Sequence, residues 1–198
     1  LLGKIENQNR TIARQTLQAL REAKFQATPG NINRILNDIV RLINMMSWNF
    51  AAYASISKTS RFELLKDALE SEIADNYSTL YSLLSLAYNP TSIVNIKNML
   101  TEGSDTDISF AIELLDQIVN EEIKQVFFPV VENITVKERF RLLQYFFQAV
   151  RENPEDLIHD IITRDFNMVS LYLKASALYC LPVLKPAEAS QELVASVF

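Results

Sequence analysis

The chain's one histidine, His159, stands in Pro154-Glu155-Asp156-Leu157-Ile158-His159-Asp160, four and three positions after Glu155 and Asp156. On a helix those three side chains share a face, and an imidazole beside two carboxylates could bind one metal ion. A surface helix that opens with acids to suit its own dipole has the same letters, and the first-turn placement of the carboxylates favours that reading. Glu113 and Asp116, at i and i+3, could form a carboxylate pair for acid–base chemistry. Within stacked helices they are expected instead to satisfy helix-end N–H groups or to hydrogen-bond between neighbours. Cys180 lies among Ala177, Leu178, Tyr179 and Leu181 with no charge close by in sequence to lower its pKa, so it reads as a buried, inert thiol.

Basic residues near the start make the strongest electrostatic feature. Arg10, Arg14 and Arg21 recur on one stripe at about 100° per residue, and Lys24, Arg34 and Arg41 follow closely. These six form the candidate interaction patch. Three readings of it stay open: a solvated helix face, a contact with anionic lipid headgroups or an acidic protein partner, and a contact with nucleic-acid phosphates. Among the aromatics, Phe127, Phe128, Tyr145, Phe146 and Phe147 are expected mostly in the core, with one or two left exposed as anchors.

Composition removes several classes of function. Three glycines, Gly3, Gly30 and Gly103, cannot build the Gly-rich loops of mononucleotide or dinucleotide sites. One cysteine and one histidine exclude an internal disulfide and any Cys/His metal cage. No catalytic residue, metal or cofactor is assigned. The net charge of −5 hides an asymmetry, +6 over residues 1 to 62 against −11 over residues 63 to 198, and a mostly acidic chain disfavours polyanions as principal ligands. The uncharged stretch Leu42 to Ser57 is broken by Asn44, Ser47, Asn49 and Ser55, so no membrane span is expected. The chain reads as reduced and intracellular. It starts without methionine in mid-pattern, which reads as a piece of something longer.

The elements that would hold these groups are helices, because apolar residues recur at helical spacing almost throughout. A first helix is expected to bury Ile5, Ile12, Thr16, Ala19 and Ala23 and to turn Arg10, Arg14 and Arg21 outward. A second carries Ile32, Ile35, Leu36, Ile39, Ile43, Met46 and Phe50. A third is expected from Ser60, with Glu63 completing a capping box, either continuous or bent near Asp75-Asn76. Asn89-Pro90 and Asn153-Pro154 each place a capping side chain before a proline at the first helical position. Gly103 is expected to stop its helix in the left-handed conformation, with Ser104 or Asp105 capping the next. Thr135 and Glu138 form a capping box for a helix carrying Phe140, Leu143, Phe147 and Val150, and a last helix runs from about Asn167. The Asn-Pro pairs lie 64 residues apart, and Phe128-Pro129-Val130-Val131 is echoed 53 residues on by Leu181-Pro182-Val183-Leu184, which suggests a degenerate repeat. The expected fold is all-α: eight or nine helices in four to five antiparallel pairs, stacked as an α-α superhelix over a single domain of residues 1 to 198. An irregular helical bundle is the alternative.

Phe62-Glu63-Leu64-Leu65-Lys66-Asp67-Ala68-Leu69, Leu80 to Pro90, Ala111-Ile112-Glu113-Leu114-Leu115-Asp116 and Phe128-Pro129-Val130-Val131 together resemble the HEAT-repeat region of bacterial ATP/ADP-carrier-like membrane proteins. The likeness covers about 80 residues, Phe62 to Leu143. It implies a cytosolic, non-catalytic helical module beside a membrane domain, tethered to the inner membrane through flanking segments. Transport and cyclic-nucleotide binding are not carried over, since neither a transporter bundle nor a Gly-rich pocket is present. The function expected is a protein-interaction or regulatory scaffold, with a partner protein or the parent membrane domain as ligand. The alternative is a nucleic-acid-binding module, conceivably enzymatic, that uses the basic N-terminal helices.

Overall fold

The computed structural model describes residues 2–5, 9–56, 60–165 and 167–184, and among them the chain is all-α. Two long helices form its spine: α2 (Ile32–Ser55) and α3 (Glu63–Ala87). At 1.5 Å per residue each is about 37 Å long. The N-terminal part of α2, with Ile35, Ile39 and Ile43, shares a core with Leu80, Leu84 and Leu86 from the end of α3. The other end of α2, Ala52 and Ile56, meets Leu65 and Leu69 from the start of α3, so the two run antiparallel. The remaining helices are α1 (Arg10–Glu22), α4 (Pro90–Glu102), α5 (Asp105–Ile118), α6 (Glu121–Val131), α7 (Val136–Leu143), α8 (Pro154–Thr163) and α9 (Leu171–Leu184).

The spine carries two hydrophobic cores. One gathers α1 and α4 to α7 around the α2 start and α3 end, with Phe50 and Phe127 almost wholly buried. The second sets Leu157, Ile158, Ile161 and Ile162 of α8 and Leu173, Ala177 and Cys180 of α9 on the opposite end. Each buried Leu, Ile or Phe among them contributes about 1.5–3 kcal/mol relative to exposure. Helices adjacent in sequence pack together along α3–α4–α5 and α6–α7, but α2 also packs on α6, α7 and α8, and α3 on α9. An array whose repeats meet only their chain neighbours has no such distant contacts.

Local signals were read unevenly. Asn89 accepts from Ser92 N–H, Asn153 from Glu155 and Asp156 N–H, and Ser104–Asp107 and Thr135–Glu138 are complete capping boxes. The α3 helix is continuous and begins later than expected: Ser60–Phe62 form a 3-10 turn and Phe62, not Ser60, stands at the N-cap, with no side-chain cap bond. The α7 helix stops at Leu143, short of Phe147 and Val150, and α9 begins at Leu171 rather than near Asn167. The Asn-Pro pairs open α4 and α8 and the Pro-Val pairs close α6 and α9. Three helices, α5 to α7, lie between the first pair of marks and two, α7 and α8, between the second, so the two spacings span different numbers of helices.

Gly103 is not left-handed but extended, at φ −79° and ψ 164°. Glycine is needed for room instead, because a Cβ would stand 2.3 Å from the Met99 carbonyl oxygen and 2.6 Å from the Asp107 Cβ. The left-handed position is Lys24, at φ 51°. Phe25 N–H donates to Leu20 O and Lys24 N–H to Arg21 O, both at 2.9 Å, a Schellman termination of α1 with lysine where glycine is favoured. Lys24→Gly is expected to stabilise the chain by about 0.5–1 kcal/mol, read as a rise of roughly 1–4 °C in Tm.

Four of the seven tyrosines have raised hydroxyl pKa values, and burial is the first cause at each of Tyr53, Tyr77, Tyr81 and Tyr88. Tyr53 and Tyr81 are pushed up to about 12. A folded-state pKa above the unfolded value of 10 gives stability that is complete below pH 10 and lost as pH rises through the folded pKa. Urea midpoints are therefore expected to fall steeply between pH 10 and 12, with Tyr81 alone accounting for about 2 kcal/mol, while Tyr81→Phe flattens that slope.

Candidate functional site

The arginine stripe lies along α3, with Arg10 half-buried and Arg14 and Arg21 exposed. Arg10 forms an ion pair with Glu72, whose side chain has no exposed surface; Arg14 pairs with Asp75 at 2.8 Å, and Arg21 Nη1 donates to Ser82 Oγ at 3.3 Å. All three partners lie on one face of α3. The buried residues of α1 are Thr16, Leu17 and Leu20, while Ile12 is 42% exposed and Ala19 and Ala23 are exposed, so of the stripe expected to be buried only Thr16 and, ahead of the helix, Ile5 are, and the buried face is turned toward Leu17 and Leu20. Two leucines and three arginine contacts outweigh a stripe half made of alanines, each of which gains little from burial. Of the other basic residues, Arg41 pairs with Asp38 one turn earlier on α2, Arg34 stands beside Gly3, and Lys24 is exposed at its left-handed turn. Thus Arg10, Arg14, Arg21 and Arg41 are engaged within the chain before any partner arrives.

Between α1, the turn after it, the second half of α3 and the start of α4 runs an open groove of about 890 Å³. One wall presents Arg14, Arg21 and Lys24 beside Glu22, and the other Asp75, Ser78, Thr79 and Ser82, with exposed Val94 at the α4 end. The α3 hydroxyls donate back into their own helix, Thr79 to Asp75 O at 3.0 Å and Ser82 to Ser78 O at 2.9 Å. The Thr79 and Ser82 oxygens keep only acceptor capacity, and Arg14, Arg21 and Lys24 are the strong donors of the groove. Gln26 Nε2 donates to Ser85 O at 2.9 Å and Ala27 N–H to Leu86 O at 2.8 Å, which fixes the turn at the groove's end to the last turn of α3.

The candidate catalytic groups are dispersed. His159, Glu155 and Asp156 are exposed on α8, and among the described residues no group of three or more His, Cys, Asp and Glu is placed to hold a metal ion. Asp116 bridges α5 to α6 through Lys124 at 3.0 Å, the inter-helix bonding expected of it, while Glu113 is exposed beside it. Cys180 is 1% exposed, and burial pushes its thiol pKa up. Phe127 is buried, Phe128 and Phe147 are half-buried, and Tyr145 and Phe146 are exposed, which gives the two candidate anchors.

Several paired groups escaped the sequence reading. Glu72 and Asn76 occupy the apolar register set by Leu65, Leu69, Leu80 and Leu83, and a charge at a core position was their signal. Arg139 on α7 closes the end of α6, donating to the carbonyls of Pro129 at 3.2 Å, Val130, and Glu132 at 2.6 Å. Lys174 on α9 does the same for α8, with Nζ 2.9 Å from Ile162 O and also bonded to Arg164 O, and desolvation holds its pKa below the usual lysine value. The one tryptophan, Trp48, donates to Asp160 at 3.2 Å beneath the Arg164 guanidinium, 4.0 Å from its ring centre.

No family model, curated protein or solved structure matches this chain. No helix among the described residues is long and apolar enough to cross a membrane.

Proposed function

We propose that this chain is a non-catalytic interaction module that receives an acidic segment of a partner protein in the groove between α1 and α3–α4. The observation that carries the reading is the groove's division of labour: its strong donors are Arg14, Arg21 and Lys24, while its hydroxyl wall offers acceptors. An acceptor-rich ligand such as a Glu- or Asp-bearing helix suits the cationic wall, and the acceptors opposite would take donors from its other side chains. Tyr145 and Phe146, on the connection between α7 and α8, would serve as separate aromatic anchors.

A HEAT-like superhelix of the kind in ATP/ADP-carrier-like membrane proteins draws support from the neighbour-on-neighbour packing of α3–α4–α5 and α6–α7. The contacts of α2 with α7 and α8 and of α3 with α9 favour a bundle on a two-helix spine, so the module is proposed from the groove rather than from the array. Nucleic acid is the weaker ligand, because residues 63 to 198 carry a net charge of −11.

The test is fluorescence anisotropy with a labelled Glu-rich helical 15-mer, a labelled duplex DNA, and anionic vesicles at matched salt. Binding of the peptide alone is expected, weakened about tenfold by Arg21→Glu with Lys24→Glu, a loss of about 1.4 kcal/mol. No peptide binding, or tighter binding of duplex or vesicles with the same sensitivity, would replace this reading.

A further inference from the structure

The α9 helix is apolar on both sides. Leu173, Ala177 and Cys180 turn one side into the second core, and Lys174, the one charged residue of the helix, is buried with its ammonium on the carbonyls that end α8. The other side carries Leu171, Tyr172, Ala175, Leu178, Tyr179 and Pro182, which fall within about 120° of one another at 100° per residue. Leu178 is half-buried and the rest are exposed, Leu171 by 71%, Tyr172 by 48% and Tyr179 by 68%. A helix that is apolar all round belongs in an interior, and a contiguous exposed apolar patch marks an interaction site. This stripe is also symmetric about its one small residue. Leu171 and Tyr172 stand four and three positions before Ala175, and Leu178 and Tyr179 stand three and four positions after it. From this self-complementary pattern we infer that the outer face of α9 pairs two copies of the chain, with the two helices antiparallel about a two-fold axis at Ala175.

A two-fold axis matches each position after Ala175 with the same distance before it in the other copy. Leu178 then meets the partner's Tyr172, and Tyr179 meets the partner's Leu171, so every large side chain packs on one of a different shape. At the axis only two methyl groups stand between the helices, which lets the backbones approach while the larger residues close the space on either side. Antiparallel helices also oppose their dipoles favourably. The net charge of −5 works against association in general, but the stripe itself is uncharged, so copies meet there without like charges in contact. The stripe offers roughly 500 Å² per copy, and about 1,000 Å² for the pair is the lower limit of specific association, so the dimer is weak and reversible. None of these residues lines the groove between α1 and α3–α4, so pairing leaves that groove open and does not depend on what it holds.

The test is sedimentation equilibrium of the full chain from low micromolar to near-millimolar concentration, where half of the chains are expected to be paired at roughly 10–100 µM. Ala175→Glu sets two carboxylates against each other at the axis and should weaken pairing at least tenfold while leaving the urea midpoint in place, because the position is exposed. Tyr179→Ser carries the same comparison if Ala175→Glu does not fold. Register is read by cross-linking with oxidised glutathione. Ala175→Cys is expected to join its own copy, and Leu171→Cys to join Tyr179→Cys but not itself; Cys180, 1% exposed, stays out of the exchange. Parallel helices would instead join Leu171→Cys to itself, which would overturn the arrangement, as would a dimer indifferent to both charge and truncation of the stripe. A chain that stays monomeric throughout also overturns it: the face then belongs to another protein if Tyr172 and Tyr179 are freely nitrated, and to another segment of the chain if they are shielded.

Discussion

Replacing Arg10 by alanine is expected to lower stability by about 3–5 kcal/mol, the range found when one partner of a buried ion pair is removed. For a chain of this length that is a drop of roughly 6–20 °C in Tm. The size follows from the asymmetry of the pair: the Glu72 side chain has no exposed surface, whereas that of Arg10 is 25% exposed. Without the guanidinium, the carboxylate keeps the Ser170 N–H at 3.2 Å and no countercharge among its known contacts. The double replacement Arg10→Met with Glu72→Leu should recover most of the loss, since two apolar groups of similar volume leave no buried charge behind. Urea midpoints of the two single variants and the double give the coupling directly, and additive losses would show that the pair does not work as a unit.

The second large effect is expected at Arg139. Its guanidinium closes α6 by donating to three carbonyls, one of which, Val130 O, also accepts from the Tyr77 hydroxyl at 2.7 Å. The last carbonyls of α6 have no helical N–H beyond them, so that end depends on side chains or water for its donors. Arg139→Met is expected to cost about 3 kcal/mol, since hydrogen bonds from charged groups contribute about 1.5–3 kcal/mol each and some carbonyls will turn to water. Lysine should restore only part of that, because one ammonium cannot span three carbonyls as a planar fork does. The tyrosines report the same event. Arg139 lowers the pKa of Tyr77 and Tyr81 against the larger effect of their burial, so its removal should shift tyrosinate formation to still higher pH.

Helix identity was legible because it rests on local patterns: Asn-Pro, Ser-x-x-Asp and Thr-x-x-Glu caps act within one turn of chain. Facing was harder to read. In α1 the residues that look like a solvated stripe are the ones that dock, and nothing in residues 10 to 22 announces that α3 will present Glu72, Asp75 and Ser82 opposite them. The two-helix spine was illegible for the same reason, since contacts between α2 and α8 or α3 and α9 join residues about 100 positions apart. Gly103 was read as a conformational glycine, but only the positions of Met99 O and Asp107 Cβ reveal that space is the constraint. The groove shares this dependence. Its cations were named from the sequence, whereas the hydroxyl wall facing them exists only once α1 lies along α3.

Because α2 and α3 each run through both cores, neither half of the molecule owns a complete set of walls. Losing α8 and α9 would strip one end of the spine while the other end still held it, so damage at one pole should reach the far pole as a change in protection rather than as a clean separation. Amide deuteration would then be slowest near the middle of the two long helices, and Trp48, stacked under Arg164, would dim or brighten with events at either extremity.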